Sequence, residues 1–260
     1  MNKISICINR YFTTNLWTFM KKLFLHGLVL TFVLYAVQED AFESFGATKT
    51  MLFALCITLV VIGFFNAATE FHSQREYLVF DLRTVLPLSV WVISTLIIQS
   101  LLVFCQASIT VVILIKIFSI KNYFQYFITV FLILFSSDML GFLCGFLITS
   151  SLNTTMSLMA GAIIIQVVLS GVLFTPTGLF EKITKAIVSY HGMCAIGSVA
   201  DLNSYLPAGY PLEMMYYPDL DYIITAWASL LVLAALECAL GVAILYFNLS
   251  CTEKYSLTKE

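Results

Sequence analysis

The residues with most chemistry in this sequence are the charged and amide side chains that interrupt long apolar runs. The densest set lies from Glu70 to Pro87, E-F-H-S-Q-R-E-Y-L-V-F-D-L-R-T-V-L-P, between two segments apolar enough to cross a bilayer. Its charges, Glu70, Arg75, Glu76, Asp81 and Arg83, leave Tyr77, Leu78, Phe80, Leu82 and Leu86 to face lipid or protein. That pattern predicts a short amphipathic helix lying at a membrane surface, offered to a soluble partner.

Three further polar residues, Asp138, Gln166 and Glu237, stand inside apolar runs. An unpaired charge near mid-membrane costs at least about 2.5 to 3.5 kcal/mol, so both carboxylates are expected to face protein or a wet cavity. One reading makes them polar spots on a translocation route or a proton-sensitive gate; the other makes them structural hydrogen-bonding groups. Gly141 and Gly145 form a G-x-x-x-G step that permits close helix approach, within one chain or between two, and Gly171 belongs to the same set of packing glycines.

Other chemistries lack their parts. His26, His72 and His191 are spread along the chain without an H-x-x-x-H step, which gives no metal site. The seven cysteines include no C-x-x-C pair and fall mostly in apolar runs, as small core residues do. The net charge of -2, with no Lys/Arg cluster, gives no nucleic-acid signature.

The elements that must position these residues are membrane spans. With 60% hydrophobic and 11% charged residues and a mean hydropathy of +0.96, the chain lies far from globular composition, where about a quarter of residues are charged. Six transmembrane helices are predicted, at Leu23–Val37, Met51–Ala68, Leu88–Ile115, Tyr123–Thr149, Met156–Phe174 and Tyr222–Tyr246. Residues 1–22 read as an interfacial basic helix, 70–87 as the surface helix, and 175–221, which hold four of the five prolines, as an external re-entrant segment and loop. The chain is thus expected to be an all-α polytopic membrane protein, one transmembrane domain over residues 1–260. No small-x-small cleavage site succeeds Leu23–Val37, so that run is read as a span and not a secretory signal. Lys3, Arg10, Lys21 and Lys22 put the N-terminus inside, which places both termini and the island in the cytoplasm of a cell whose plasma membrane holds the chain.

The island and the start of the third span resemble the membrane half of ABC type-2 exporters, particularly the G-type subfamily and the bacterial permeases fused to forkhead-associated and ATPase domains. The likeness rests on Arg75, Asp81, Leu86, Trp91 and Ser94, with departures at Gln74, Phe80 and Thr95. It continues through G-F-L-C-G-F-L-I-T-S-S-L-N-T-T (141–155), Q-V-V-L-S-G (166–171) and A-I-G-S-V-A-D-L-N (195–203). The resemblance implies a non-catalytic permease working with a second copy or a paralogue, above two ABC ATPase subunits. The island would be the helix coupling ATPase closure to alternating access between spans 2 and 5, for a hydrophobic, lipid-like or peptide cargo. No G-x-x-x-x-G-K-[ST] occurs in the chain, so ATP and Mg2+ are expected on the partner ATPase and no cofactor here. A membrane-embedded scaffold or immunity protein fits the same composition. An intramembrane enzyme would require a nucleophile, base or metal cluster at one depth, and Asp138, Glu237 and His26 form no recognised pattern.

Overall fold

The computed structural model describes the backbone of residues 3–84, 87–147, 152–174 and 177–257, and the side chains of 3–71, 87–147, 157–174 and 177–247. Helices succeed one another as α1 (Lys3–Ala36), α2 (Phe45–Thr84), α3 (Leu88–Phe118), α4 (Tyr123–Leu147), α5 (Leu152–Val168), α6 (Leu179–Thr184), α7 (Val188–Val199) and α8 (Leu220–Leu257). Two short 3-10 turns, Leu202–Tyr205 and Met214–Tyr216, cross the loop before α8, and there is no strand among the described residues. Five helices, α1 to α4 and α8, are long and apolar enough to cross a membrane, which gives an all-helical, multi-pass arrangement.

Helix ends fall where backbone chemistry requires them. Pro87 caps the start of α3 in an extended conformation, since it has no N–H to give and restricts the residue before it. At the other end Ser119 turns left-handed and returns its N–H to the Ile115 carbonyl at 3.1 Å. Between α1 and α2, Asp40 and Phe42 also adopt positive φ, and the Thr48 hydroxyl accepts from the Phe42 N–H at 2.9 Å.

Three expectations differ from the observed backbone. No separate interfacial helix over 1–22 exists, because α1 runs unbroken through Lys22 into the apolar stretch; lysines change a helix's surroundings without ending it. Nor is the island a separate surface helix: α2 continues through it to Thr84, since neither Gly nor Pro intervenes after Gly63 until Pro87. At 1.5 Å per residue, α1 and α2 are about 51 and 60 Å long against a hydrocarbon core of about 30 Å, so both extend well past it. The run expected as the fifth span is also shorter: α5 has 17 residues and the chain turns at Gly171.

The core is a seam between α2 and α4. A Cβ on Gly141 would stand 2.2 Å from the Phe64 carbonyl oxygen, and one on Gly63 would stand 2.7 Å from that of Leu134. The two backbones therefore touch, which only glycine permits. On α8 the residues Ile223, Ala226, Leu230, Ala234, Glu237, Gly241 and Leu245 form one buried stripe, which turns toward α4 at Gly241, whose Cβ would meet the Phe142 ring. Helix α1 lies along α3, while α7 is buried among α2, α4 and α8.

The polarity of the bundle is inverted relative to a water-soluble one. Trp17, Phe24, Phe32 and Tyr35 point outward from α1 at 70 to 74% exposure, whereas Gln99, Gln106, Thr110 and Asp138 are buried at 1% or less. Such a surface suits lipid.

Candidate functional site

Polar chemistry concentrates at the end of the bundle where α1 and α2 leave the apolar core. Lys22 reaches from α1 to the Glu70 carboxylate and donates to the Asn66 carbonyl at 2.9 Å. Both side chains are nearly enclosed, 13% exposed for Lys22 and 8% for Glu70. Tyr11, two helical turns before Phe19 on α1, shares a hydrogen bond with Glu70. Glu70 is therefore held inward, tying α2 to α1. Arg75, Glu76, Asp81 and Arg83 continue on the same helix, and their side chains lie outside the described residues.

A box of four rings braces this region. Phe71 meets Phe142 at 4.8 Å between centroids, Phe142 meets Phe146 at 5.0 Å, and Trp91 stacks on Phe142 at 6.2 Å. The box joins α2, α3 and α4 directly after Glu70, and Leu245 of α8 packs into it. Gly145 makes room, since its Cβ would meet Phe71 Cβ at 3.1 Å.

Deeper in, Asp138 is fully buried on α4, and neither of its carboxylate oxygens has a hydrogen-bond partner among the described residues. The opposing Gly63 brings α2 against its backbone, and Lys22 is near enough for its charge to act on the carboxyl group. Along α3, among the described residues, Gln106 leaves both amide atoms unpaired and Gln99 leaves its oxygen unpaired. Next to Gln106, His26 of α1 joins its Nε2 to the Thr110 hydroxyl at 2.9 Å, and its Nδ1 is unpartnered. Buried polar atoms cost free energy unless they are satisfied, so these side chains add polarity to the bundle interior at a cost in stability.

The remaining sequence-derived residues play other parts. Gln166 accepts the Ser189 N–H at 3.0 Å through its side chain, while its carbonyl accepts the Ser189 hydroxyl, so it clamps α5 to the start of α7. Glu237 occupies the inward stripe of α8 at 8% exposure, with Oε2 unpaired among the described residues, in electrostatic reach of Cys144. Gly171 lies past the end of α5 at φ +78°, where an added Cβ would stand 3.1 Å from the Tyr190 ring. It serves a turn against a ring and not the packing of two helices.

At the opposite end, Lys49 donates to Glu213 at 2.8 Å, and Asn203 fixes that loop by donating to the Glu213 and Tyr216 carbonyls and accepting the Glu213 N–H. Sequence reasoning singled out neither Tyr11 with Lys22 nor the amides of α3. The signal for the latter was present as Gln99, Gln106 and Thr110, spaced by seven and four residues in an otherwise apolar span. Among the described residues no group of three His, Cys, Asp or Glu side chains could hold a metal ion. No family model matches the chain, and no curated protein matches it.

Proposed function

We propose that the chain is the permease subunit of an ATP-driven exporter of the ABC type-2 kind, powered by a separate ATPase. The observation that supports this reading best is the continuity of α2: one helix carries the buried α2–α4 seam and, beyond Glu70, the charged residues Arg75 to Arg83. A force applied by a soluble partner to the projecting turns reaches the core through backbone hydrogen bonds, without a hinge. The Lys22–Glu70 pair and the ring box hold the base of that lever against α1, α3 and α4.

On this reading α5 is the sixth crossing, because its 17 residues reach the lower limit of the roughly 17 to 25 that a bilayer requires. The chain sits in the plasma membrane with both termini and the projecting part of α2 in the cytoplasm. Two permeases, identical or paralogous, enclose the path between α2 and α5, above two ATPase subunits that bind ATP and Mg2+. Gln106 and Asp138, each buried, give the bundle internal polarity, and the cargo is hydrophobic, lipid-like or peptide.

The test is ATP turnover by the chain assembled with candidate ABC ATPases in nanodiscs. Turnover that is lost in Glu76→Ala/Asp81→Ala, while the assembly remains intact, supports the exporter. An assembly whose turnover ignores these substitutions, or a chain that binds no ATPase, removes the reading and leaves a scaffold.

A further inference from the structure

Between α6, α7 and α8 the surface opens into a groove of about 700 Å³. Lys182 and Lys185 of α6 and the segment after it line one wall with His191 of α7, and α8 forms the other wall. Both lysines are exposed, and among the described residues neither forms an ion pair; Glu181 is the acid beside them in the chain.

The groove changes chemistry along α8. Its upper part carries Tyr222, Thr225 and Ser229, and its lower part carries Val232 and Leu236. Cys194 packs with Ala226 and is 4.0 Å from the Tyr222 hydroxyl. The His191 Nε2 meets the Lys185 carbonyl at 3.0 Å and so ties the basic segment to α7. Toward the other end of the groove, Val232 and Leu236 stand 57% and 55% exposed, an apolar floor that none of the described residues covers.

Cations above an uncovered apolar stripe complement an amphiphile with an anionic head and a hydrocarbon chain. The lengths agree as well. Tyr222 to Leu236 spans about 21 Å of helix, against about 15 Å for the hydrocarbon of one leaflet. The excess holds a headgroup, at the end of the groove that Tyr222 lines.

We propose that this groove binds one anionic phospholipid, its phosphate between Lys182 and Lys185 and an acyl chain along Ser229, Val232 and Leu236. His191 is a positioning residue that orders the Lys185 backbone. The inference stands apart from the exporter reading, since it requires no ATPase and no cargo.

The experiment is native mass spectrometry of the full chain in neutral detergent, titrated with dioleoylphosphatidylglycerol or dioleoylphosphatidylcholine. The parent is expected to retain one phosphatidylglycerol in preference to phosphatidylcholine. Lys182→Gln/Lys185→Gln should weaken phosphatidylglycerol about tenfold and leave phosphatidylcholine unchanged, as expected for two lysines near an anionic group. Ser229→Trp, which keeps both lysines and fills the floor, should weaken both lipids. The proposal fails if the lysine variant retains phosphatidylglycerol as the parent does, if Ser229→Trp changes nothing, or if the two lipids bind the parent equally. Glycerol 3-phosphate binding as tightly as the whole lipid would also overturn it. Both lysines are exposed, so folding of their variant, monitored by circular dichroism, is expected to match the parent.

Discussion

Lys22 of α1 and Glu70 of α2 are joined across the exit of the bundle, and the same ammonium group donates to the Asn66 carbonyl at 2.9 Å. The pair is nearly enclosed, so removing one partner leaves the other charge with little water. Lys22→Met is expected to cost about 3 kcal/mol, the low end for breaking a buried pair. Glu70→Gln added to it should cost less than the sum of the two single changes by about 1 kcal/mol or more. Strict additivity in denaturation measured in micelles would show that the pair carries no coupling.

Two glycines separate packing from flexibility. Gly141→Ala drives a Cβ into the Phe64 carbonyl, and an overpacked core loses about 1 to 3 kcal/mol. Gly161→Ala on α5 has nothing within 4 Å of the new carbon and should gain up to about 1 kcal/mol from helix propensity. Thermal unfolding of both variants is the check; a harmless Gly141→Ala would mean that α2 and α4 do not touch backbone to backbone.

The loop at the far end depends more on its amide than on its ion pair. Asn203 is buried and makes three hydrogen bonds, so Asn203→Ala should cost about 1 to 3 kcal/mol. Lys49 and Glu213 are 22% and 37% exposed, and Lys49→Ala should cost about 1 kcal/mol or less. The reverse ranking in the same unfolding assay would contradict the roles given to the two side chains.

His191 supplies a pH dependence. Burial lowers its pKa from the ordinary histidine value, and the Lys185 carbonyl opposes that shift only in part. The groups around it in the groove are Lys182, Lys185, Tyr190, Cys194 and Tyr222. A histidine with a depressed folded pKa stabilises the fold above its unfolded value near 6.5 and loses that contribution as pH falls through the lower folded value. The unfolding temperature of the parent should therefore fall more than that of His191→Gln between pH 7 and pH 5. Parallel curves would remove His191 from the acid response.

Much of the helical plan was legible, because apolar run length and proline position are written locally. Pro87 put the start of α3 at Leu88, and the G-x-x-x-G step at Gly141 found its place within the chain, against Phe64 and Ala68. What escaped was continuity. A change from apolar to charged residues at Lys22 and again at Glu70 looks like an element boundary, yet only Gly, Pro and caps stop a helix. The amides of α3 were passed over because a single Gln in an apolar run says little until its neighbours at seven and four residues are placed on one face. Gln166 looked like an intramembrane polar spot because its partner, Ser189, lies 23 residues away and only the fold brings it near.

The exporter reading requires the projecting part of α2 to meet an ATPase inside the cell. A cysteine at Ser73, in a background without the seven native cysteines, can be challenged with a membrane-impermeant maleimide. Labelling only after the cells are permeabilised is the predicted result. Labelling of intact cells would put that stretch on the outer face, out of reach of any cytoplasmic ATPase, and would contradict the exporter reading.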